Sequence, residues 1–407
     1  MNAIPGQDLA SLRRGACPSL PEPMQTGDGL LARLQPLAPL NLDQLAGLAR
    51  LAVERGNGIL EVTARGKLQL RGLTPATAPG LPEAVAALGI DVPQGFPVEV
   101  SALAALDPLE CVDPRPLAQA ISERAAPLVP HLAPKASVVV DGGGRFRLGG
   151  LKADIAVSAG EGGLSLALAG VPLGEVEAER AAAVVIALLQ RLAARGPAAR
   201  MAELVAAEEI ESLRAEFGLA PPVVAPGEGV DPVGLHRLSD GSVALGIGLG
   251  FGQIRAEALD ELVAAARRAG VAHAEPAAGR ALLLVGLTPA AAAGLRKTAA
   301  GLGLLTDPKD PRRRVYACAG QPACASGRLD THALAATLVP LLGGRDLHVS
   351  GCPKGCAHPA KAALTIVGLD EGAGLVVEGT PRAMPARLVP VAQLREAVQE
   401  LLQKDLA

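Results

Sequence analysis

Residues 56–81, GNGILEVTARGKLQLRGLTPATAPGL, return 214 positions later as residues 270–295, GVAHAEPAAGRALLLVGLTPAAAAGL. GLTP at Gly72–Pro75 matches GLTP at Gly286–Pro289, and Gly80-Leu81 matches Gly294-Leu295. The agreement runs upstream without a gap: Gly27, Leu31, Leu45 and Leu48 align with Gly241, Leu245, Leu259 and Leu262. An insertion-free match from Gly27 to Leu81 exceeds what a shared Ala/Leu bias produces. The chain therefore carries two copies of one supersecondary unit.

Each copy reads strand, helix, strand, strand, helix. In the first, Asn41 with Gln44 three residues on forms a capping box, and Leu45, Leu48 and Ala52 give a helical apolar stripe that Gly56 stops. ILEVT and KLQLRGL follow as extended segments around a turn at Ala64-Arg65-Gly66. Two such α+β halves are expected to pair their sheets about a pseudo-twofold axis and bury both apolar faces in one domain.

The copies differ where chemistry would show. Strand alternation puts Lys67, Gln69 and Arg71 on one face and Leu68 and Leu70 on the other, with Arg65 in the turn before and Arg33 in the first strand. The matching positions in the second copy are Ala281, Leu283, Val285, Gly279 and Ile247. A merely solvated face would be polar in both copies. The asymmetry points to a one-sided anion site.

Outside the repeats the chain divides into further α/β segments, giving expected units at 1–84 (first repeat), 85–222 (first central domain), 223–304 (second repeat) and 305–407 (cysteine-bearing domain). APPVVAPGEGVDP, residues 220–232, is the clearest linker. Hydrophobic residues at 49% against 19% charged support a large buried core. One tyrosine, no tryptophan and a net charge of −3 argue against a nucleic-acid partner. No stretch is apolar and long enough to span a bilayer, the amino terminus lacks the apolar core of a signal peptide, and a cytoplasmic setting is expected.

Four of the six cysteines cluster: Cys318 and Cys324 in ACAGQPACAS, Cys352 and Cys356 in SGCPKGCAHPAK. Zinc sites pair cysteines at gaps of two to four residues, which a gap of five followed by a gap of three fits poorly. Iron–sulfur clusters take four thiolates at family-specific spacings, and Gly320, Pro322, Gly351, Pro353 and Gly355 suit backbone wrapped close to a cluster. Two disulfides are the remaining alternative.

C-x5-C followed by C-x3-C near the end of a duplicated chain resembles the siroheme nitrite and sulfite reductase superfamily. That resemblance implies a 4Fe–4S cluster on Cys318, Cys324, Cys352 and Cys356, with Cys356 at the position that bridges to siroheme. It implies anion-binding groups at Arg33, Arg65, Lys67, Gln69 and Arg71, and a lysine loop at LAPKAS that carries Lys135. The chain departs from the reductases at Ser137, where a second lysine is usual, in GFPVEVS, where an arginine is missing, and at Ala357-His358-Pro359.

The pieces RRGACPSL, PMQTGDGLLARL, GNGILEVTARGKLQLRG and GCPKGCAHP are similar instead to the precorrin-3B synthase branch of the superfamily. This implies oxidation of precorrin-3A in aerobic cobalamin biosynthesis: O2-dependent hydroxylation at C20 with γ-lactone formation. Electrons would come from an NAD(P)H-linked or ferredoxin-type donor. It also implies a mononuclear non-haem iron beside the cluster, with siroheme replacing that iron if the reductase reading holds. His358 is the candidate iron ligand or proton donor and Lys135 a second catalytic candidate. His332 and His348 read as structural, Cys17 as a pocket or buried thiol, Cys111 as packing, and Lys354 and Lys361 as solvated or donor-facing. A non-catalytic iron–sulfur electron carrier is the competing class, and it has no use for the basic strand.

Overall fold

The computed structural model describes residues 18–93, 95–222 and 229–404; Cys17 and residues 223–228 of the expected linker lie outside them. The first repeat forms β1 (Met24–Thr26), β2 (Gly29–Leu34), α1 (Leu42–Arg55), β3 (Ile59–Val62), β4 (Leu68–Leu73) and α2 (Leu81–Ala87). The expected capping box starts α1: Asn41 Oδ1 accepts from the Gln44 N–H at 2.8 Å, and Gln44 Oε1 accepts from the Asn41 N–H at 2.9 Å. Gly66, at φ 75°, turns the chain between β3 and β4 in a conformation that costs a side-chain-bearing residue energy.

The next segment supplies β5 (Val98–Val100), α3 (Arg115–Ala125), β6 (Val138–Asp141), β7 (Ile155–Gly160), β8 (Gly163–Leu168), β9 (Val171–Val176), α4 (Ala178–Ala194), α5 (Met201–Ala207) and α6 (Ile210–Phe217). Its sheet runs β5-β6-β7-β8-β9, parallel over the first three strands and antiparallel thereafter. Cys111 is exposed in the connection after β5 rather than packed, because its segment lies over the outside of the Asp141–Gly144 turn, with its N–H on the Gly142 carbonyl at 2.8 Å.

The second repeat forms β10 (Gly234–Arg237), β11 (Val243–Gly248), β12 (Gln253–Arg255), α7 (Ala256–Ala269), β13 (His273–Ala277), β14 (Ala281–Leu287) and α8 (Pro289–Gly301). The bounds of β11 and α7 are those of β2 and α1 shifted by the repeat offset. The two repeats exchange edges. β12 joins the first repeat's sheet beside β3, pairing Ile254 with Leu60, and Leu40 bridges Ala274 of β13 in return. Each pair is the offset image of the other. Leu45, Leu48, Leu60 and Leu70 consequently share one core with Leu259, Leu262, Leu282 and Leu284.

The last segment forms β15 (Val315–Ala317), α9 (Thr331–Leu338), β16 (Leu347–Ser350), β17 (Ala362–Leu369), β18 (Gly372–Gly379), β19 (Arg387–Val389) and α10 (Leu394–Lys404). Its sheet, β15-β16-β17-β18-β19, repeats the parallel-then-antiparallel order of the second segment. No helix among the described residues is long and apolar enough to cross a membrane.

The two repeat sheets bury their outer faces differently. Ala281, Leu283 and Val285 of β14 pack under Leu103 and Phe146 from the second segment, which explains why these positions are apolar. The corresponding face of β4 meets polar groups instead. Leu259 of α7 is fully buried in the shared core, so Leu259→Ala is expected to cost about 2–5 kcal/mol in urea unfolding. Val53→Ala on α1, 56% exposed, is expected to change stability by no more than about 0.5 kcal/mol in the same assay.

Candidate functional site

Parallel neighbours deliver both cysteine loops from one edge of the last sheet. Cys318 follows β15, and Cys352 and Cys356 follow β16, with Ala317 in register with Val349. The loops are tied together by the Arg328 N–H on the Gly351 carbonyl at 2.7 Å, and the first is closed on itself by Thr331 Oγ1 donating to the Cys318 carbonyl at 2.5 Å. The Gly351 N–H donates to Cys318 Sγ at 3.2 Å. Burial pushes the Cys318 and Cys352 thiols up, and neighbouring sulfurs add to it: Cys356 and Cys352 act on Cys318, and Cys356 and Cys324 on Cys352. Backbone N–H groups of Gly351 and Gly320 pull Cys318 back towards thiolate, as the Lys354 N–H does for Cys352.

All four thiols thus interact, and each is a free cysteine rather than half of a disulfide. Among the described residues no three His, Cys, Asp or Glu side chains converge on a point that a single metal ion would fill. Four cysteines on two glycine-rich loops with N–H groups on their sulfurs suit a larger polynuclear cluster.

The first repeat touches this centre through the β1–β2 turn. The Ala325 N–H donates to the Gly27 carbonyl at 3.0 Å, and a Cβ at position 27 would lie 2.1 Å from Cys324 Sγ. Asp28, next in the turn, takes both Nε and Nη2 of Arg71 at 2.9 and 2.7 Å, and Arg71 Nη1 reaches Glu61 at 2.9 Å. Burial opposes the charge on Arg71, but Glu61 and Asp28 outweigh it and raise its pKa; burial likewise opposes the Asp28 carboxylate, and Arg71 holds its pKa below the usual range.

Next to Arg71, a polar ladder crosses four strands. Gln69 sits opposite both Arg33 of β2 and Glu61 of β3, and Glu61 opposite Gln253 of β12. With its amide oriented to satisfy both neighbours, the Gln69 oxygen accepts from Arg33 at 2.7 and 2.8 Å and its nitrogen donates to Glu61 at 3.1 Å.

At the other end of the strand, Arg65 and Lys67 line a cleft of about 1750 Å³ between the first repeat, the second segment and residues 275–279. Among the described residues that line it are also Arg147, Lys152 and Glu99, whereas Arg33, Gln69, Arg71, Lys135, His358 and the cysteines are not. Glu99, on β5, is clamped by both cations: Oε1 lies 2.9 Å from Arg65 Nε and 2.8 Å from Lys67 Nζ, and Oε2 binds Arg65 Nη2. Arg65 Nη1 donates to the Lys152 carbonyl at 2.8 Å. The structure thus splits the five expected substrate-binding residues into a cleft pair and an internal ladder.

Lys135 is exposed in the turn before β6. His358 stacks on Tyr316 with ring centroids 3.9 Å apart, meets His348 edge-on at 5.7 Å, and has Nε2 3.4 Å from the Lys361 carbonyl oxygen. The Arg280 guanidinium lies 4.6 Å from the Tyr316 ring centre. His348 is fully buried on β16, and His332 stacks on Phe251 at 4.4 Å with its Nε2 buried and without a hydrogen-bond partner. No local pattern in the sequence marks Arg147 or Lys152 for the cleft. A glutamate alternating with valines in PVEVS was the one signal for Glu99.

Burial alone would raise the Glu99 carboxyl, but Arg65 and Lys67 bring it below the ordinary glutamate value of 4.5. The triad's contribution to stability is therefore complete above pH 4.5 and is lost as the pH falls through the lower folded-state value. Thermal melts between pH 7 and pH 3 are expected to show Glu99→Gln less stable than the wild type at pH 7, with the gap closing on the acid side. A gap independent of pH would contradict this.

The nitrite/sulfite reductase ferredoxin-like half-domain model matches residues 22–88. A sulfite reductase [ferredoxin] of Mycobacterium tuberculosis (strain ATCC 25618 / H37Rv) is 29% identical over 177 residues, covering 40% of this chain and 31% of that protein. The solved structure of the Mycobacterium tuberculosis NirA protein superimposes with a TM-score of 0.70 at 20% identity, over 92% of this chain and 80% of that one, and shows the shared fold. A precorrin-3B synthase from Sinorhizobium sp is 40% identical over 399 residues, 93% of this chain and 86% of its own length. On that full-length likeness, the chain belongs to the precorrin-3B synthase family, built on a nitrite/sulfite reductase-like fold.

Proposed function

We propose that the protein is an oxidoreductase that converts precorrin-3A to precorrin-3B, hydroxylating C20 with O2 and closing a γ-lactone. The observation that carries this reading is 40% identity to a precorrin-3B synthase over 93% of the chain, in a structure whose cleft of about 1750 Å³ is bordered by Arg65, Lys67, Arg147 and Lys152. The substrate is a reduced tetrapyrrole rimmed by acetate and propionate carboxylates. Arg65, Lys67, Arg147 and Lys152 offer guanidinium and ammonium donors to those carboxylates, each charge-assisted contact contributing about 1.5–3 kcal/mol.

Cys318, Cys324, Cys352 and Cys356 fit a 4Fe–4S cluster by donor type and by the N–H groups aimed at sulfur. Bound there, such a cluster supplies one-electron transfer from an NAD(P)H-linked or ferredoxin-type donor. The described residues offer no three-ligand site for a mononuclear iron. The chain's own residues hold the ring by its carboxylates and keep Arg71 and Arg33 paired within the ladder; His358, the candidate proton carrier, stands on the cysteine side, outside the cleft wall. Lys135 has no place in the cleft wall, so its catalytic role rests on the family resemblance alone.

The reciprocal pairing of Leu60 with Ile254 and of Leu40 with Ala274 supports reading the repeats as two ferredoxin-like half-domains about a pseudo-twofold axis. Separate cores over residues 96–219 and 315–402 support units at 85–222 and 305–407, while the two repeats share a third core.

Purified protein given precorrin-3A, a reductant and isotopically heavy oxygen gas is expected to yield a product carrying one heavy oxygen atom, the second leaving as water. A product labelled from water instead, or no product, would overturn the reading. For the cluster, Gly27→Ala forces a methyl group onto Cys324 Sγ. Iron and acid-labile sulfide after anaerobic reconstitution are expected to fall below wild type. An unchanged content would mean that the β1–β2 turn does not abut the loaded cysteine loop.

A further inference from the structure

Two cations converging on an open cleft make a seat for an anion. A small oxyanion has almost no apolar surface, so charge-assisted hydrogen bonds are nearly all that can hold it there. In this chain the seat is already filled. Glu99 comes from β5, an edge strand of another sheet, and spans both Arg65 and Lys67. Its side chain is 6% exposed, against 30% for Arg65 and 16% for Lys67, so the carboxylate sits behind the cations while they border the cleft. The triad's formal charge is one positive unit rather than two.

We propose that Glu99 is a specificity-determining residue, a built-in carboxylate that keeps small inorganic oxyanions out of the Arg65–Lys67 seat. The seat then serves only a ligand that brings further contacts of its own. A polycarboxylate macrocycle does so, because it has ring area to bury in the cleft and further carboxylates to offer Arg147 and Lys152, which also line it. A sulfite or nitrite ion has nothing to add. The importance of this for substrate choice rests on the functional reading above, whereas the exclusion of small anions does not. A purely mechanical role for Glu99, fastening β5 to the turn at residues 64–66, predicts lost stability and no new ligand.

The test titrates the full-length protein with sulfite, and separately with nitrite, by calorimetry and thermal shift. Glu99→Gln is expected to bind sulfite at least about tenfold more tightly than the wild type. Sulfite should restore part of the melting temperature that this variant loses, and adding Arg65→Ala should abolish the gain. Sulfite binding by the wild type as tight as by the variant, or a folded Glu99→Gln with no gain, overturns the proposal. If Glu99→Gln does not fold, Glu99→Asp replaces it: its shorter carboxylate cannot span both cations, and the absence of a gain is equally decisive. Coproporphyrin, a tetracarboxylate macrocycle, is titrated in parallel. Its failure to bind the wild type counts against the functional reading, while the sulfite comparison still decides the role of Glu99.

Discussion

Strand β4 must satisfy two faces with opposite demands. Leu68 and Leu70 are fully buried in the core shared by the two repeats, which fixes the strand and leaves no freedom to turn its polar side chains elsewhere. Gln69, itself only 3% exposed, and Arg71 are therefore carried into the interior on the opposite face. A buried charge without a partner is far more costly than a paired one. The positions of Asp28, Glu61 and Gln253 follow from that demand. Asp28 in turn sets the β1–β2 turn, and the turn presents Gly27 to the Cys324 loop. The cysteine centre and the first repeat are thus joined through the pairing of one arginine.

The second repeat shows what the same strand does with a different neighbour. β14 carries apolar side chains at the matching positions, and Leu103 and Phe146 cover them. The backbone frame is shared down to the offset of β11 and α7, so the frame does not dictate a cationic face. What differs is what lies across from it: apolar side chains of the second segment over β14, and the turn touching the cysteine loop together with Glu99 around β4. Glu275, which corresponds to Glu61, keeps its carboxylate in both copies but uses it otherwise, accepting from the Leu103 N–H at 3.0 Å.

Local and periodic features were legible in the sequence. The capping box at Asn41, the alternation of Lys67 to Arg71 and the gap-free offset all concern residues close in sequence or related by a constant shift, and the structure carries each of them. The pairing of two short cysteine motifs was legible for the same reason, since thiolate spacing is a local signal. Partners were not. Glu99 lies 34 residues from Arg65, and Gln253 lies 192 from Glu61. Only the packing of β5 and β12 against the first repeat brings them there. Arg33, Arg65, Lys67 and Arg71, expected as one anion-binding set, are divided by carboxylates that no local pattern announces. Lys135 was placed by resemblance alone, and its turn points it to solvent.

The division gives the cationic strand two unlike ends. Arg71 is 13% exposed and held by two carboxylates, so its pairing is closed and a further anion would have to break it. Arg65 is 30% exposed and shares one carboxylate with Lys67, so a unit of positive charge remains at the cleft. An incoming carboxylate meets net attraction only at that end, because an uncompensated cation attracts it even through solvent screening while a fully compensated pair presents little field. Between the two ends the Arg33–Gln69–Glu61 ladder is satisfied within itself. Cleft and cysteine loops thus lie towards opposite ends of one strand, and only the cleft end keeps an uncompensated positive charge. The cysteine loops lie beside the end whose charges are already paired, since Gly27 of the Asp28 turn abuts Cys324.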